Sequence, residues 1–412
     1  MLGHDFLPFY TAGSLVREGR HRQLYDLDAV TAAERSTAAD AGLELGDAMG
    51  PFWNPPFYAL PFVPLSGLPY HAALAAWWAL GLAALAASVV LLRRLLPEAA
   101  RRDCRTWALI PLLLLISTPF LQALTHGQNT FFSLLLLTAT VTFWRSRRPL
   151  LAGLTLGLLS YKPQLAALIA LVLILDLGWR AAAGFAAVTG ALLLTAAVAL
   201  PGSLGDYLHR LPGMLHYMQV EQPYIWERHA TLKAFWRLLL QGPAAGEPSA
   251  AVAILTGGCR AAVVLALGVA VVRVRRGDRD TSPLRRDRLV AAAVAATPLV
   301  MPFYFDYDLL LLAVPAVLLA GEFSDPALLP TAARPRADRW FVRLGVALFV
   351  WMIVNPDVAE LTRVNLSVLL LSAAAAMLLA RAIRAPVVTV ANVANVDAAH
   401  GTTDRSALPL AA

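Results

Sequence analysis

Residues 70–94 read YHAALAAWWALGLAALAASVVLLRR, an apolar run over 70–92 free of Asp, Glu, Lys and Arg and stopped by Arg93 and Arg94. At about 1.5 Å per residue such a run crosses roughly 30 Å of hydrocarbon as one helix. The rest of the chain repeats the theme. Hydrophobic residues make up 58% and charged residues 15%, with a mean hydropathy of +0.61, beyond the apolar content of a water-soluble domain. Further apolar runs cover 106–124, 130–144, 150–160, 163–176, 180–200, 251–272, 289–303, 309–320, 341–354 and 366–381. The expectation is an all-α, polytopic integral membrane protein with about eleven membrane helices, the runs much shorter than about 20 residues being broken or re-entrant.

The net charge of +7 and pI near 9.7 do not signal nucleic acid, because the basic residues sit in short blocks between apolar runs and share no surface. Blocks at Arg93–Arg105, Arg145–Arg148, Arg273–Arg288 and Arg334–Arg343 fall in every second gap, which the positive-inside rule makes cytoplasmic. The alternate gaps, around Gln128, Lys162, 201–250, 303–308 and 355–365, carry His, Gln, Asn, Tyr and Trp and face outward. This divides the chain into an extracytoplasmic segment 1–69, membrane helices over 70–200, an outer loop 201–250, further membrane helices over 251–385, and a disordered cytoplasmic tail 386–412. Segment 1–69 shows helical periodicity too weak to define a core, with one short surface helix around Leu24, Tyr25, Leu27 and Val30. Pro51–Tyr58, aromatic and proline-rich, suits the interfacial zone. Met1 begins in mid-pattern, so a membrane helix is expected upstream of it. Cys104 and Cys259 fall near opposite faces and form no disulfide. Gly153 and Gly157 make a GxxxG suited to helix packing.

Polar clusters recur at the outward helix ends: Asp5 with Tyr10; Trp53 with Asn54; His126, Gln128 and Asn129; Lys162 with Gln164; Arg228 with His229; and Tyr304, Asp306 and Asp308. Unpaired polar groups near hydrocarbon cost several kcal/mol, so such residues pair, line a wet cavity or bind a ligand. For each residue a plainer alternative stays open. Asp5 is either a solvated charge or a reactive carboxylate, and Lys162 either snorkels to the interface or binds a lipid phosphate. Asp306 and Asp308 share the DxD spacing of metal-dependent sugar transferases, but no third carboxylate lies near in sequence and no metal or other cofactor is expected.

Taken together, the motifs resemble glycosyltransferase family 87 of the GT-C superfamily. The resemblance rests on Asp5-Phe6-x-x-Phe9-Tyr10, Asn54-Pro55-Pro56, Gly127-Gln128-Asn129, Lys162-Pro163-Gln164 and Tyr307-Asp308-Leu309. The chain departs from the family pattern in lacking the first helix, in a shortened Gly-Gln-Asn turn and in Arg228-His229-Ala230-Thr231. The resemblance implies a GT-C-like fold and inverting transfer of a hexose, mannose foremost, from a polyprenyl-phosphate donor to a glycolipid or polysaccharide acceptor. It places the reaction on the outer face of a bacterial plasma membrane, among membrane lipids. Asp5 then acts as general base. Lys162, Arg228, Gln164, His126 and Gln128 serve the donor phosphate; Tyr10, Trp53, Asn54, Asn129, His229, Tyr304, Asp306 and Asp308 line the substrate site; Trp226 stacks on sugar. The competing readings are a transporter or lipid flippase, and a truncated inactive relative.

Overall fold

The computed structural model describes residues 2–45, 50–276, 283–324 and 336–383. Each expected apolar run forms a helix, and among the described residues there is no strand, only a single antiparallel bridge between His229 and Phe305. Five helices are long and apolar enough to cross a membrane: Tyr70–Leu95, Trp179–Ala199, Ala250–Arg276, Asp306–Ser324 and Leu366–Ile383. Two bent pairs raise that number to as many as seven. Three further apolar helices, Thr130–Arg145, Pro149–Tyr161 and Pro163–Leu177, are shorter. The all-α membrane architecture is therefore as expected, while fewer of its helices span singly than about eleven. Trp179–Ala199 and Ala250–Arg276 leave Leu194, Val198, Ile254 and Leu265 exposed, and apolar surface on this scale requires an apolar solvent.

The breaks have local causes. Ser117 ends the run from Cys104: its hydroxyl donates to the Leu114 carbonyl at 2.7 Å and accepts from Phe120 N–H at 3.3 Å. With Pro119 in the first turn, the chain restarts as Thr118–His126, bent by 51° from Cys104–Leu115. Arg339–Trp351 and Asn355–Thr362 meet at 81°, where Pro356 opens the second helix. Lys162, held at φ −122° and ψ 75° by the following proline, interrupts Pro149–Tyr161 and Pro163–Leu177.

Segment 1–69 differs from expectation. It forms two helices, Phe6–Arg17 and Leu27–Asp40, and Leu24, Tyr25 and Val30 are core residues rather than surface ones. Phe57 is likewise buried, and Phe52, Tyr58 and Phe62 pack against Phe6, Phe9 and Trp77. Aromatic rings shared among several short elements carry this core, which is why no single helical stripe advertises it. Gly153 and Gly157 do pack helices: a Cβ at Gly153 would lie 2.1 Å from the Ala181 carbonyl oxygen and one at Gly157 2.8 Å from Val188 Cβ. Cys104 and Cys259 are free thiols. The tail after residue 383 lies outside the described residues, as does part of the Arg334–Arg343 block.

Thr130–Arg145 separates two polar layers. Its first hydroxyl bonds Asp308 at 2.8 Å, while Arg145 reaches Asp287 at 2.9 Å. Around Arg145 gather Arg286 with Asp176 at 2.8 Å and Arg288 with Glu322 at 2.7 Å, the latter carboxylate also bound by Arg381. Arginine blocks distant in sequence thus converge at one end of the bundle, and the outward clusters at the other, about 24 Å away.

Candidate active site

Asp5 sits at the start of Phe6–Arg17, in a turn pinned to the C-terminus of Thr118–His126. Gly3 N–H donates to the Thr125 carbonyl at 2.7 Å and Asp5 N–H to the His126 carbonyl at 3.0 Å. The Tyr70 hydroxyl donates to the Gly3 carbonyl at 3.0 Å, and Trp77 Nε1 to that of Gly127 at 2.8 Å. Gly127 closes the helix at φ 74°, the left-handed cap that glycine adopts without penalty. The carboxylate accepts from Gln128 Nε2 at 2.7 Å. His4 Nε2 lies 3.2 Å from one oxygen and His126 Nδ1 3.5 Å from the other. Burial alone pushes the Asp5 carboxyl up, but His126, the charge of His4 and the Gln128 amide outweigh it and hold the group below the usual carboxylate range. Asp5 is therefore an anion at neutral pH, 27% exposed.

Gln122 lies one turn before His126 on the same helix face. It donates to Asp306 at 3.0 Å, and Arg228 grips that carboxylate with two bonds, at 3.1 and 2.9 Å. Burial lowers the proton affinity of Arg228, yet Asp306, together with Tyr307 and Asp5, more than restores it. Beside this pair lies a narrow, open cleft whose walls include Gln122, Arg228, His229, Asp306, Asn355 and Asn365. Asn365 Nδ2 bonds the Glu227 and His229 carbonyls at 3.0 and 3.1 Å and so fixes the Arg228 turn. His229 is buried, and desolvation with the nearby Arg228 and Lys233 charges pulls its pKa down to about 3. Its Nδ1 accepts the Tyr304 N–H at 3.3 Å, which assigns the proton of the neutral ring to Nε2, an atom with no hydrogen-bond partner among the described residues.

Lys162 and Asp308 form a third cluster. The ammonium lies 2.9 Å from both carboxylate oxygens, and the side chains are 7% and 5% exposed. Tyr307 joins the clusters: its ring lies 5.3 Å from Lys162 Nζ, 6.2 Å from the His126 ring and 5.1 Å from the Phe305 ring, itself beneath Arg228. Asp5, His126, Gln128, Lys162, Arg228, His229, Asp306 and Asp308 therefore belong to one polar layer.

Other expected site residues make contacts within the bundle. The Tyr10 hydroxyl donates to the Leu68 carbonyl at 2.8 Å, and Asn54 Nδ2 to that of Tyr161 at 2.8 Å. Asn129 Nδ2 donates to the Tyr58 hydroxyl at 2.8 Å, and the Tyr304 hydroxyl to the Asp308 carbonyl at 3.0 Å. Trp53 packs half-buried against the core. Trp226 is buried against Ala234, Leu238 and Ala359, so its faces are closed to a sugar. Gln164 is half-buried in the first turn after Lys162. Asp306 and Asp308 pair with different cations, Arg228 and Lys162. A nitrogen-rich group does exist elsewhere: ligand atoms of His4, Asp5 and His126 lie within 4.8 Å of one another. His4, Gln122, Asn355 and Asn365 escaped the sequence reading as site residues. Gln122 had a readable signal, a lone amide one turn from His126 in an apolar run.

The anionic Asp5 and the two-pronged Arg228–Asp306 pair thus share a polar layer at one end of an all-α apolar bundle. The family model of glycosyltransferase family 87 matches residues 52–302, well over half of the chain. The chain belongs to that family: it is a membrane glycosyltransferase, acting on a sugar donor and an acceptor in the membrane. The matched segment includes Gln122, His126, Gln128, Lys162, Arg228 and His229, while Asp5, Asp306 and Asp308 lie outside it. No curated protein and no solved structure matches the chain.

Proposed function

We propose that this glycosyltransferase moves a hexose, with mannose the first donor to try, from a polyprenyl phosphate to a glycolipid or polysaccharide hydroxyl, with inversion. The reaction takes place on the outer face of a bacterial plasma membrane, since the arginine-rich end of the bundle is the cytoplasmic one. The observation that carries the reading is the shared helix face of Gln122 and His126. Gln122 meets Asp306 beside Arg228 and His126 meets Asp5, so the two carboxylates are held by residues one turn apart on one helix.

In this scheme Asp5 takes the proton of the acceptor hydroxyl as that oxygen attacks the anomeric carbon. The bond from the anomeric carbon to the phosphate oxygen breaks on the opposite face, and the phosphate leaves with the electron pair through an oxocarbenium-like transition state. Charge grows on the departing phosphate, and a preorganised cation there stabilises the transition state more than the ground state. Arg228 suits this task better than Lys162: it lines the cleft, and its guanidinium is matched to phosphate oxygens. Lys162, with both oxygens of Asp308 in its grip, holds Tyr307 and the layer in place. His229 Nε2–H is a neutral donor for a sugar hydroxyl or a phosphate oxygen at the cleft wall.

The test is to reconstitute the chain in liposomes and offer labelled polyprenyl-phosphate mannose or labelled nucleotide mannose. Label passing to lipid or polymer from the polyprenyl donor alone supports the reading. Transfer from the nucleotide sugar alone overturns it.

A further inference from the structure

We propose that His4, Asp5 and His126 form a binding site for a divalent transition metal of the zinc class, and that a bound ion withdraws Asp5 from the transfer reaction. The second half rests on the reading of Asp5 as the base; the first half does not.

Two imidazoles and one carboxylate are the donor set that zinc prefers, and an oxygen-seeking ion such as magnesium does not. Around a tetrahedral ion with ligands at about 2.0–2.1 Å, neighbouring ligand atoms stand about 3.3 Å apart. The His4–Asp5 and His126–Asp5 separations, 3.2 and 3.5 Å, are already of that size. The rings of His4 and His126 lie 4.3 Å apart between centroids, tilted by 56°, and all three ligand atoms fall within 4.8 Å of one another.

The backbone holds the ligands in register, through the bonds from Gly3 and Asp5 to the end of Thr118–His126. Gln128 orients the carboxylate from outside the ligand set, as outer-shell groups do in metal sites. His126 Nδ1 is buried and faces the Asp5 carboxylate at 3.5 Å, the atom and direction a metal ligand needs. An ion reaches the group from solvent, because the His4 side chain is 44% exposed.

The full chain, purified in detergent and stripped of metal, is titrated with zinc against a chromophoric chelator, with the visible spectrum of bound cobalt as a second readout. The expected result is one equivalent bound by the unaltered chain, weakened at least about tenfold by His4→Gln and by His126→Gln. His4→Gln, at an exposed side chain, serves as the variant that keeps the fold, checked by its thermal midpoint. Absence of binding, or binding that both substitutions leave unchanged, overturns the site.

Zinc is then added to the transfer assay, each variant being compared with its own zinc-free rate. Loss of transfer in the unaltered chain, relieved in His4→Gln, supports the second half. Zinc bound through these residues with transfer undiminished leaves the metal site standing and removes Asp5 from the role of base.

Discussion

Replacing Lys162 separates a positioning role from a donor-binding one. In the folded chain its ammonium contacts both Asp308 oxygens at 2.9 Å, and Thr130 adds a third contact at 2.8 Å. With the two side chains 7% and 5% exposed, solvent cannot compensate for a lost partner. Lys162→Met leaves a buried carboxylate with one hydroxyl donor, and Asp308→Leu leaves a buried ammonium. Each change alone is expected to cost about 3–5 kcal/mol. The double variant removes both charges in favour of apolar groups of similar volume and is expected within about 1–2 kcal/mol of the unaltered chain, the Thr130 hydroxyl being left to find another acceptor. Unfolding in detergent and transfer in liposomes are measured on all four proteins. A positioning pair gives two unstable single variants and a stable double variant that still transfers. Single variants as stable as the parent would refute the structural pair, and a stable but inactive double variant would place Lys162 on the donor.

Three further outcomes follow from other contacts. Arg228→Lys keeps the charge but loses the two-pronged geometry on Asp306 and on a phosphate; kcat/KM for the polyprenyl donor is expected to fall about 10–100-fold, the worth of one or two charge-assisted hydrogen bonds, with little change in thermal midpoint. Burial pushes the Glu34 carboxyl from an ordinary 4.5 up to about 8. The folded chain thus keeps a proton that the unfolded chain loses, so stability falls as pH rises from about 4.5 to about 8; Glu34→Gln should remove this slope and gain on the order of 3 kcal/mol at pH 7, read from unfolding at several pH values. Gly153→Ala forces a methyl to within 2.1 Å of the Ala181 carbonyl oxygen, whereas a methyl at Gly190 meets nothing within 4 Å; the first should destabilise by about 1–3 kcal/mol or more and the second not at all, by the same unfolding assay.

The sequence made the membrane helices readable because hydrocarbon imposes a strict rule, that long runs carry no unpaired charge. It also exposed the members of the polar layer, since in such a chain any His, Gln, Lys or Asp at a helix end stands out. What it did not expose were the pairings. Lys162 with Asp308 and Arg228 with Asp306 join segments far apart in the chain, and only the bundle decides which cation meets which carboxylate. The same limit hid the partners that Asn54, Asn129, Tyr10 and Tyr304 find inside the bundle. A polar residue that satisfies a neighbouring carbonyl or hydroxyl looks, in one dimension, like one that waits for a ligand. Leu24, Tyr25 and Val30 were hidden for a related reason: their partners, among them Phe52 and Tyr207 around Tyr25, come from other elements, so no helical period marks them.

The central claim is that Asp5 is the base, and Asp5→Asn tests it with the least disturbance. The amide has the same shape and can still meet Gln128, but it cannot take a proton. Transfer from the polyprenyl donor is expected to fall by about 10²–10⁴-fold with unfolding unchanged. In the unaltered chain, where His126, His4 and Gln128 hold the carboxyl low, activity should persist as pH falls and be lost only below the usual carboxylate range. An Asp5→Asn protein that transfers sugar within a few-fold of the parent rate would contradict the account.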